Sequence, residues 1–394
     1  MIAFDAYNPH RVVYGSGVSK NISTLLKGLG AKSVMAVYDP GIKKAGIADK
    51  VLAPIREAGF TVVDYDNVTP DPPTEEMEAG AKIAAENNVD FYIAIGGGGV
   101  IDTAKCIAIM QTNPGKLLDY VLGVGKPIPN ACPPLIAVPT TSGTGSEATA
   151  LSIVTDSAAH RKVCIKDIDK MCPYACYLDP ELMTGLPKGL TASTGMDALS
   201  HAVEAYMVGK HNEYADMFCE NCIRRVVKWL PSGLPVAVAD GTNLEARGQM
   251  MLAANFGGAS FASSTLQAGH AIAHGVGAAL HVPHGTACAW GLNFAIKHCG
   301  ATIDMDRLQN MASWLGVDVA GKDRQELIDA CCKVVKDMND SLGVPTPKTF
   351  GCGSREDMEK GYNATWTNEQ GMLGVAGVTD PDELHTYFEE MWAW

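Results

Sequence analysis

Short apolar, β-branched runs alternate with stretches of helical period through the first half of the chain, the pattern of a parallel sheet covered by helices. The predicted strands are 33–38 (SVMAVY), 60–65 (FTVVDY), 91–95 (FYIAI) and 135–138 (LIAV). Between them, 47–59 (IADKVLAPIREAG) and 73–88 (PTEEMEAGAKIAAENN) repeat apolar residues at intervals of three and four, as one face of a helix requires. The texture changes after Leu178. The segment 179–195 (DPELMTGLPKGLTASTG) carries two prolines and many turn and cap residues, and strand-like alternation nearly disappears beyond it. Helical stretches follow at MDALSHAVEAYMV, ENCIRRVVKWL, LEARGQMMLAANFGGASFA and RQELIDACCKVVKDMNDSLG. The expectation is an α/β domain with a parallel sheet over 1–187 and an all-α domain over 188–394.

Composition narrows the class. A chain of 394 residues with 47% hydrophobic and 19% charged residues suits two compact domains, and its 41 glycines follow no three-residue period, so disorder and collagen are excluded. With 31 Lys+Arg against 44 Asp+Glu, a formal charge of −13 repels phosphate backbones and anionic lipid; neither nucleic acid nor a membrane is an expected partner. No apolar run approaches the ~18–20 residues of a membrane span, and the first residues lack a basic-then-apolar export signal. A cytoplasmic location with reduced thiols is expected. Cys219 and Cys222 form a lone CxxC inside a helical stretch and read as structural thiols.

The candidate chemistry gathers in the second half. Asp197 and His201 are four apart, so both leave one face of a helix that has Thr191, Ser193 and Thr194 as cap candidates before it. His270 and His274 repeat the spacing in LQAGHAIAHGVGAAL, whose small residues permit close helix packing. Pro283 then interrupts the helical pattern, leaving His284 at the start of a new segment, free to turn back. A carboxylate with two or three imidazoles suits a divalent cation such as Fe²⁺ or Zn²⁺ with a position left open for substrate.

Three features of the first half suit a nucleotide. The run Gly96, Gly97, Gly98, Gly99 joins a strand to a helix whose N-terminus offers N–H groups to a pyrophosphate, with Asp102 in its first turns. The loop 139–147 (PTTSGTGSE) crowds hydroxyls at the end of another strand, and Asp39 ends the strand SVMAVY, where a carboxylate holds a ribose hydroxyl and repels a 2′-phosphate. Asp39 precedes the glycine run, whereas the usual acid follows it, so the strand order must differ from the standard dinucleotide fold.

Together, GGGGVIDTAK, PTTSGTGSE, TGMDALSHAVEAY and GHAIAHGVGAALHVPHG resemble the iron-containing, group III alcohol dehydrogenase family, in the same order over most of the chain. The resemblance implies a dehydroquinate-synthase-like architecture, a Rossmann-like domain binding NAD(P), a helical domain holding one divalent metal, and an active site in the cleft between them. It assigns Asp197, His201, His270 and His284 as metal ligands, with His274 close by, binding substrate or relaying a proton. It matches Gly97, Gly98 and Gly99 to the pyrophosphate loop, Thr140, Thr141 and Thr144 to the hydroxyl loop, Lys162 to a lysine near the nicotinamide ribose, and Asp39 to a residue favouring NAD. Gly99 stands where the family usually has serine, and the C-terminal stretch lacks the family's Asn-Pro-Arg element.

The expected activity is interconversion of a small alcohol with its aldehyde or ketone by hydride transfer with NAD(H), iron ranking ahead of zinc, in a homo-oligomer. Trp366, Phe256 and Phe261 are candidates for the substrate wall, although aromatics are more often core. Two other readings compete. A dehydroquinate-synthase-type lyase needs a dense Lys/Arg pocket, and between Asp197 and His284 the basic residues Lys210, Arg224, Arg225, Lys228 and Arg247 lie outside the metal motifs. A non-catalytic metal-binding protein leaves the glycine and threonine loops unexplained.

Overall fold

The computed structural model describes residues 11–69, 72–158, 161–209, 211–228 and 231–394. The described chain divides into two compact units, one built from residues 11–141 with Gly145–Gly185, the other from Leu186–Trp394 with the loop tip Ser142–Thr144. Among the described residues no helix is long and apolar enough to cross a membrane.

The first unit carries β1 (Val12–Tyr14), β2 (Ser33–Tyr38), β3 (Thr61–Tyr65), β4 (Phe91–Gly96), β5 (Leu135–Pro139), β6 (Leu151–Asp156), β7 (Arg161–Lys166) and β8 (Ala175–Leu178). Six form a sheet in the order β1-β8-β5-β4-β2-β3, every neighbouring pair parallel, while β6 and β7 make a separate antiparallel pair. The four strands expected from apolar runs are β2 to β5. Their legibility is physical: β2, β4 and β5 are buried along their whole length, and strands covered on both faces are continuously apolar. The unpredicted strands are short (β1, β8) or alternate buried with half-buried positions (β6). Ile22, Leu26, Val51, Leu52 and Ile55 cover one side of the sheet.

Strand order fixes where a ligand goes. Counted from β2, the order β3-β2-β4-β5-β8 is the 2-1-3-4-5 arrangement, not the 3-2-1-4-5-6 of the standard dinucleotide fold, as the position of Asp39 requires. The direction of winding reverses between β2 and β4, and such sheets bind ligands outside the carboxyl ends of the strands at that point. Tyr38 pairs with Ile95 and Gly96 with Pro139, so Asp39, Gly97 and Thr140 follow directly from three adjacent strand ends.

In the second unit every helix or strand described is helical. The helix of Asp197 and His201 spans Lys188–Tyr206, one turn longer at its start than the cap candidates suggested. Thr191, Ser193 and Thr194 lie inside it and are not its N-cap; that position belongs to Pro187. Their hydroxyls bond back to earlier carbonyls, Thr191 Oγ1 to Pro187 O at 3.0 Å and Thr194 Oγ1 to Leu190 O at 2.8 Å, an alternative to capping open to Ser and Thr in helices. The C-terminal helices Arg355–Asn368, Gln370–Ala376 and Pro381–Trp392 close a core with Ile272, Val276, Leu373, Leu384 and Phe388, and Trp366 packs against its edge. Gly275 makes that approach possible: a Cβ there would lie 2.1 Å from Thr365 Oγ1.

Candidate metal centre and nucleotide site

Three helices meet at Asp197. The Lys188–Tyr206 helix brings Asp197 and His201, Ala268–Leu280 brings His270 and His274, and His284–Gly300 begins on His284 itself, with Pro283 as N-cap. Glycines permit the approach. A Cβ on Gly285 would meet Ser193 O at 2.3 Å, one on Gly291 would meet Gly269 O at 2.5 Å, and one on Gly269 would meet Glu204 Oε1 at 2.6 Å. The turn between the second and third helices is made by His281 in the left-handed region at φ 55°.

Asp197 Oδ1 is the common vertex. It lies 3.6 Å from Nε2 of His201, of His270 and of His284, and it has no hydrogen-bond partner although Asp197 is only 2% exposed. A buried carboxylate oxygen left unpaired is costly, and three nitrogens converging on it describe a cation site better than a hydrogen-bond network. Burial pushes His201 down to about 4 against the pull of Asp197, so its ring is neutral near pH 7 with a lone pair to give, and desolvation within the cluster, with the neighbouring imidazoles, lowers His284 as well. Burial also opposes charge on Asp197, but the imidazoles hold its carboxyl well below the usual range. The donors therefore fit a divalent cation. The His284 side chain is 44% exposed, which leaves the centre open on that side for a substrate.

Glu204, one further turn along the Asp197 face, was not anticipated. Its Oε1 is 2.6 Å from His270 Nδ1, while Oε2 accepts from the backbone N–H of Gln267 at 3.0 Å and of His270 at 3.1 Å. The pair fixes the tautomer, Nδ1–H toward Glu204 and Nε2 toward Asp197. Burial opposes charge on His270, but the neighbouring Cys288, Glu204 and Asp197 outweigh it and raise its pKa. The spacing 197, 201, 204 of one helical face was the available signal. Cys288, a turn after His284, was also missed: its ligand atom lies with those of Asp197, His270 and His284 within 4.8 Å of one another. Burial raises its thiol to about 12.

His274 stands beside this cluster, its ring centroid 5.6 Å from His284 and its Nδ1 3.5 Å from Glu369 Oε2. Phe261 packs on His201 with centroids 4.6 Å apart. Phe256 instead lies against Phe218 and beneath Arg225, and Trp366 belongs to the C-terminal core. Cys219 and Cys222 are buried on one helix, Cys222 Sγ donating to Ala198 O.

In the α/β unit, Gly97 is the N-cap of the helix Gly98–Thr112, and Gly98 and Gly99 open it. Thr140 N donates to Gly96 O at 3.0 Å, and a Cβ on Gly97 would touch Thr141 at 3.4 Å, so the glycine and hydroxyl loops abut. Thr144 belongs to the tip counted with the helical unit, where a Cβ on neighbouring Gly143 would lie 2.7 Å from Thr194. Asp39 Oδ1 accepts from Gly41 N at 2.7 Å and Ile42 N at 3.0 Å, capping the short helix Pro40–Lys44. Asp102 occupies an internal position: its carboxylate bonds Ser146 Oγ and Ile153 N, with Lys105 Nζ 3.7 Å away, and ties the hydroxyl loop to β6. Lys162 is exposed on β7 opposite Thr155, and Thr155 N donates to Pro72 O, next to the glycine run.

A doubly wound sheet with a glycine turn at its switch point, together with a carboxylate–imidazole cation site on helices, defines a nucleotide-dependent, metal-centred oxidoreductase. Residues 9–180 match the iron-containing alcohol dehydrogenase family and residues 191–359 its C-terminal domain. The NAD-dependent methanol dehydrogenase of Bacillus methanolicus is 34% identical over 361 residues, 89% of this chain and 90% of that protein. The crystal structure of a 1,3-propanediol oxidoreductase superposes with a TM-score of 0.91 at 29% identity, covering 99% of this chain and all of the other. Sulfoacetaldehyde reductase from Bifidobacterium kashiwanohense, solved with NAD⁺, gives 0.88 at 27% identity with both chains covered completely. The chain belongs to the iron-containing alcohol dehydrogenase family. It is an oxidoreductase acting between an alcohol and its carbonyl form.

Proposed function

We propose that this protein reduces a short aldehyde, and oxidises the matching alcohol, with NAD(H) and one divalent cation held by Asp197, His201, His270 and His284. The observation that carries the reading is the orphaned, buried Asp197 Oδ1 with three imidazole nitrogens at 3.6 Å. When bound, the cation polarises the substrate oxygen and the nicotinamide gives or takes the hydride. The chain's own residues hold and orient. Glu204 fixes the His270 ring, Phe261 covers His201, and His274, oriented by Glu369, is the group placed to exchange a proton with the substrate oxygen. On the cofactor side, Gly97, Gly98 and Gly99 offer backbone donors to the pyrophosphate, Thr140, Thr141 and Thr144 offer hydroxyls, and Lys162 reaches the ribose region. Iron ranks first among the cations because the donor set is imidazole and carboxylate and the family is iron-containing.

The test is an NADH-oxidation screen of short aldehydes on protein whose metal content has been measured; turnover that tracks bound metal supports the reading, and metal-free protein with full activity refutes it. Asp39 makes a further prediction. One of its oxygens caps the following turn and the other is left for a ribose hydroxyl, so a 2′-phosphate would meet a carboxylate. Asp39→Ser is expected to raise the preference for NADPH over NADH by about tenfold, roughly 1.4 kcal/mol, read as the ratio of kcat/KM values.

A further inference from the structure

Resting on the aldehyde-reductase reading above, we propose that Glu369 sets the charge class of the substrate, admitting an uncharged short aldehyde and turning away one that carries a carboxylate or sulfonate. Glu369 lies in the C-terminal stretch that lacks the family's Asn-Pro-Arg element, at the junction of the helices Arg355–Asn368 and Gln370–Ala376. Its place is fixed from both sides. Glu369 N donates to Thr365 O at 3.0 Å and Leu373 N donates to Glu369 O at 3.0 Å, while Thr365 and Leu373 are fully buried and Thr365 packs on Gly275, the neighbour of His274. The carboxylate therefore stands at His274, Oε2 3.5 Å from Nδ1, with both side chains 19% exposed. His274 in turn stands beside His284, on the exposed side of the metal centre. A carbonyl compound reaching the centre from that side passes a carboxylate.

Nothing on these helices offsets that charge. Residues 189–209, 248–296 and 361–394, which carry every metal ligand proposed above together with His274 and Glu369, contain no lysine or arginine. On the helix that leads to Glu369, Lys360 is paired with Glu356, and Arg355 lies near Glu359 and Glu389. Among the described residues Glu369 has no ion-pair partner but the His274 ring. An anionic tail brought here loses water, finds no cation on these segments and faces a like charge in a partly desolvated site, whereas an uncharged chain meets none of these costs.

The deciding measurement compares two aldehydes of one chain length, succinic semialdehyde and its methyl ester, as kcat/KM for NADH oxidation by the metal-loaded full-length protein. The parent is expected to favour the ester by about tenfold or more, and Glu369→Gln to cut that ratio by about tenfold, the order expected of like charges several ångströms apart in a partly solvated site. Glu369→Ala removes the charge without leaving an amide and is expected to do the same. Loss of the contact that orients His274 lowers turnover of both aldehydes alike and leaves their ratio unchanged, so the ratio separates charge selection from positioning. A parent that takes the acid as readily as the ester, or a ratio unmoved in either variant while it holds its metal, overturns the proposal and leaves the reductase reading standing. Metal-loaded parent that oxidises NADH with neither aldehyde overturns both.

Discussion

Asp197→Asn is expected to purify without its cation and to lose more than about 10³-fold in kcat/KM, while the helical unit stays folded. The substitution keeps the shape of the side chain and removes its charge. No other donor has the same reach, since Oδ1 is equidistant at 3.6 Å from His201, His270 and His284, and an amide at that vertex leaves three neutral or competing nitrogens around an uncompensated cation. Loss of Lewis-acid stabilisation worth several kcal/mol accounts for the rate, a factor of ten for each 1.36 kcal/mol. His201→Ala and His284→Ala are expected to act in the same direction. Metal per chain by mass spectrometry and NADH absorbance with a short aldehyde check the result together. A metal-free Asp197→Asn protein that turns over like the parent removes the cation from the reaction.

Much of this centre was legible because ligand spacing and helical period coincide. Asp197 with His201 and His270 with His274 announce two helix faces, and Pro283 announces that His284 starts a third segment. Spacing does not say which member of a pair points to the shared atom, and the structure places His270 at Asp197 while His274 turns toward Glu369. Glu204 and Cys288 were hidden for different reasons. Glu204 reads as an ordinary polar helix residue until the Ala268–Leu280 helix, more than sixty residues on, is seen to begin on it, and Cys288 is one of twelve cysteines, most of them simply buried. In the α/β unit the two-sided strands declared themselves, whereas β6 only alternates buried with half-buried positions and the buried bond of Asp102 to Ile153 N joins chain segments about fifty residues apart. The cap residues before Asp197 misled because a threonine hydroxyl serves equally well inside a helix, bonded to a carbonyl one turn back.

Glu204 couples stability to the metal, and two substitutions separate the roles. Glu204→Ala removes the acceptor of His270 Nδ1–H and of two backbone N–H groups at the start of the Ala268–Leu280 helix, all buried. Breaking a buried charged pair costs about 3–5 kcal/mol, and the unsatisfied helix start adds to it, so a marked fall in the melting temperature followed by circular dichroism is expected. Glu204→Gln keeps one carbonyl oxygen for the helix start but sets an amide beside Nδ1–H. His270 then favours the tautomer with its proton on Nε2, aimed at Asp197 and the cation. Metal affinity is expected to fall roughly 10–100-fold with the fold kept, the range found when a partner behind a metal ligand is removed. Calorimetric zinc titration of the two proteins reads this directly. Equal affinity in the parent and Glu204→Gln would show that the His270 ring is held by packing alone, and that the short contact to Glu204 serves the helix and not the metal.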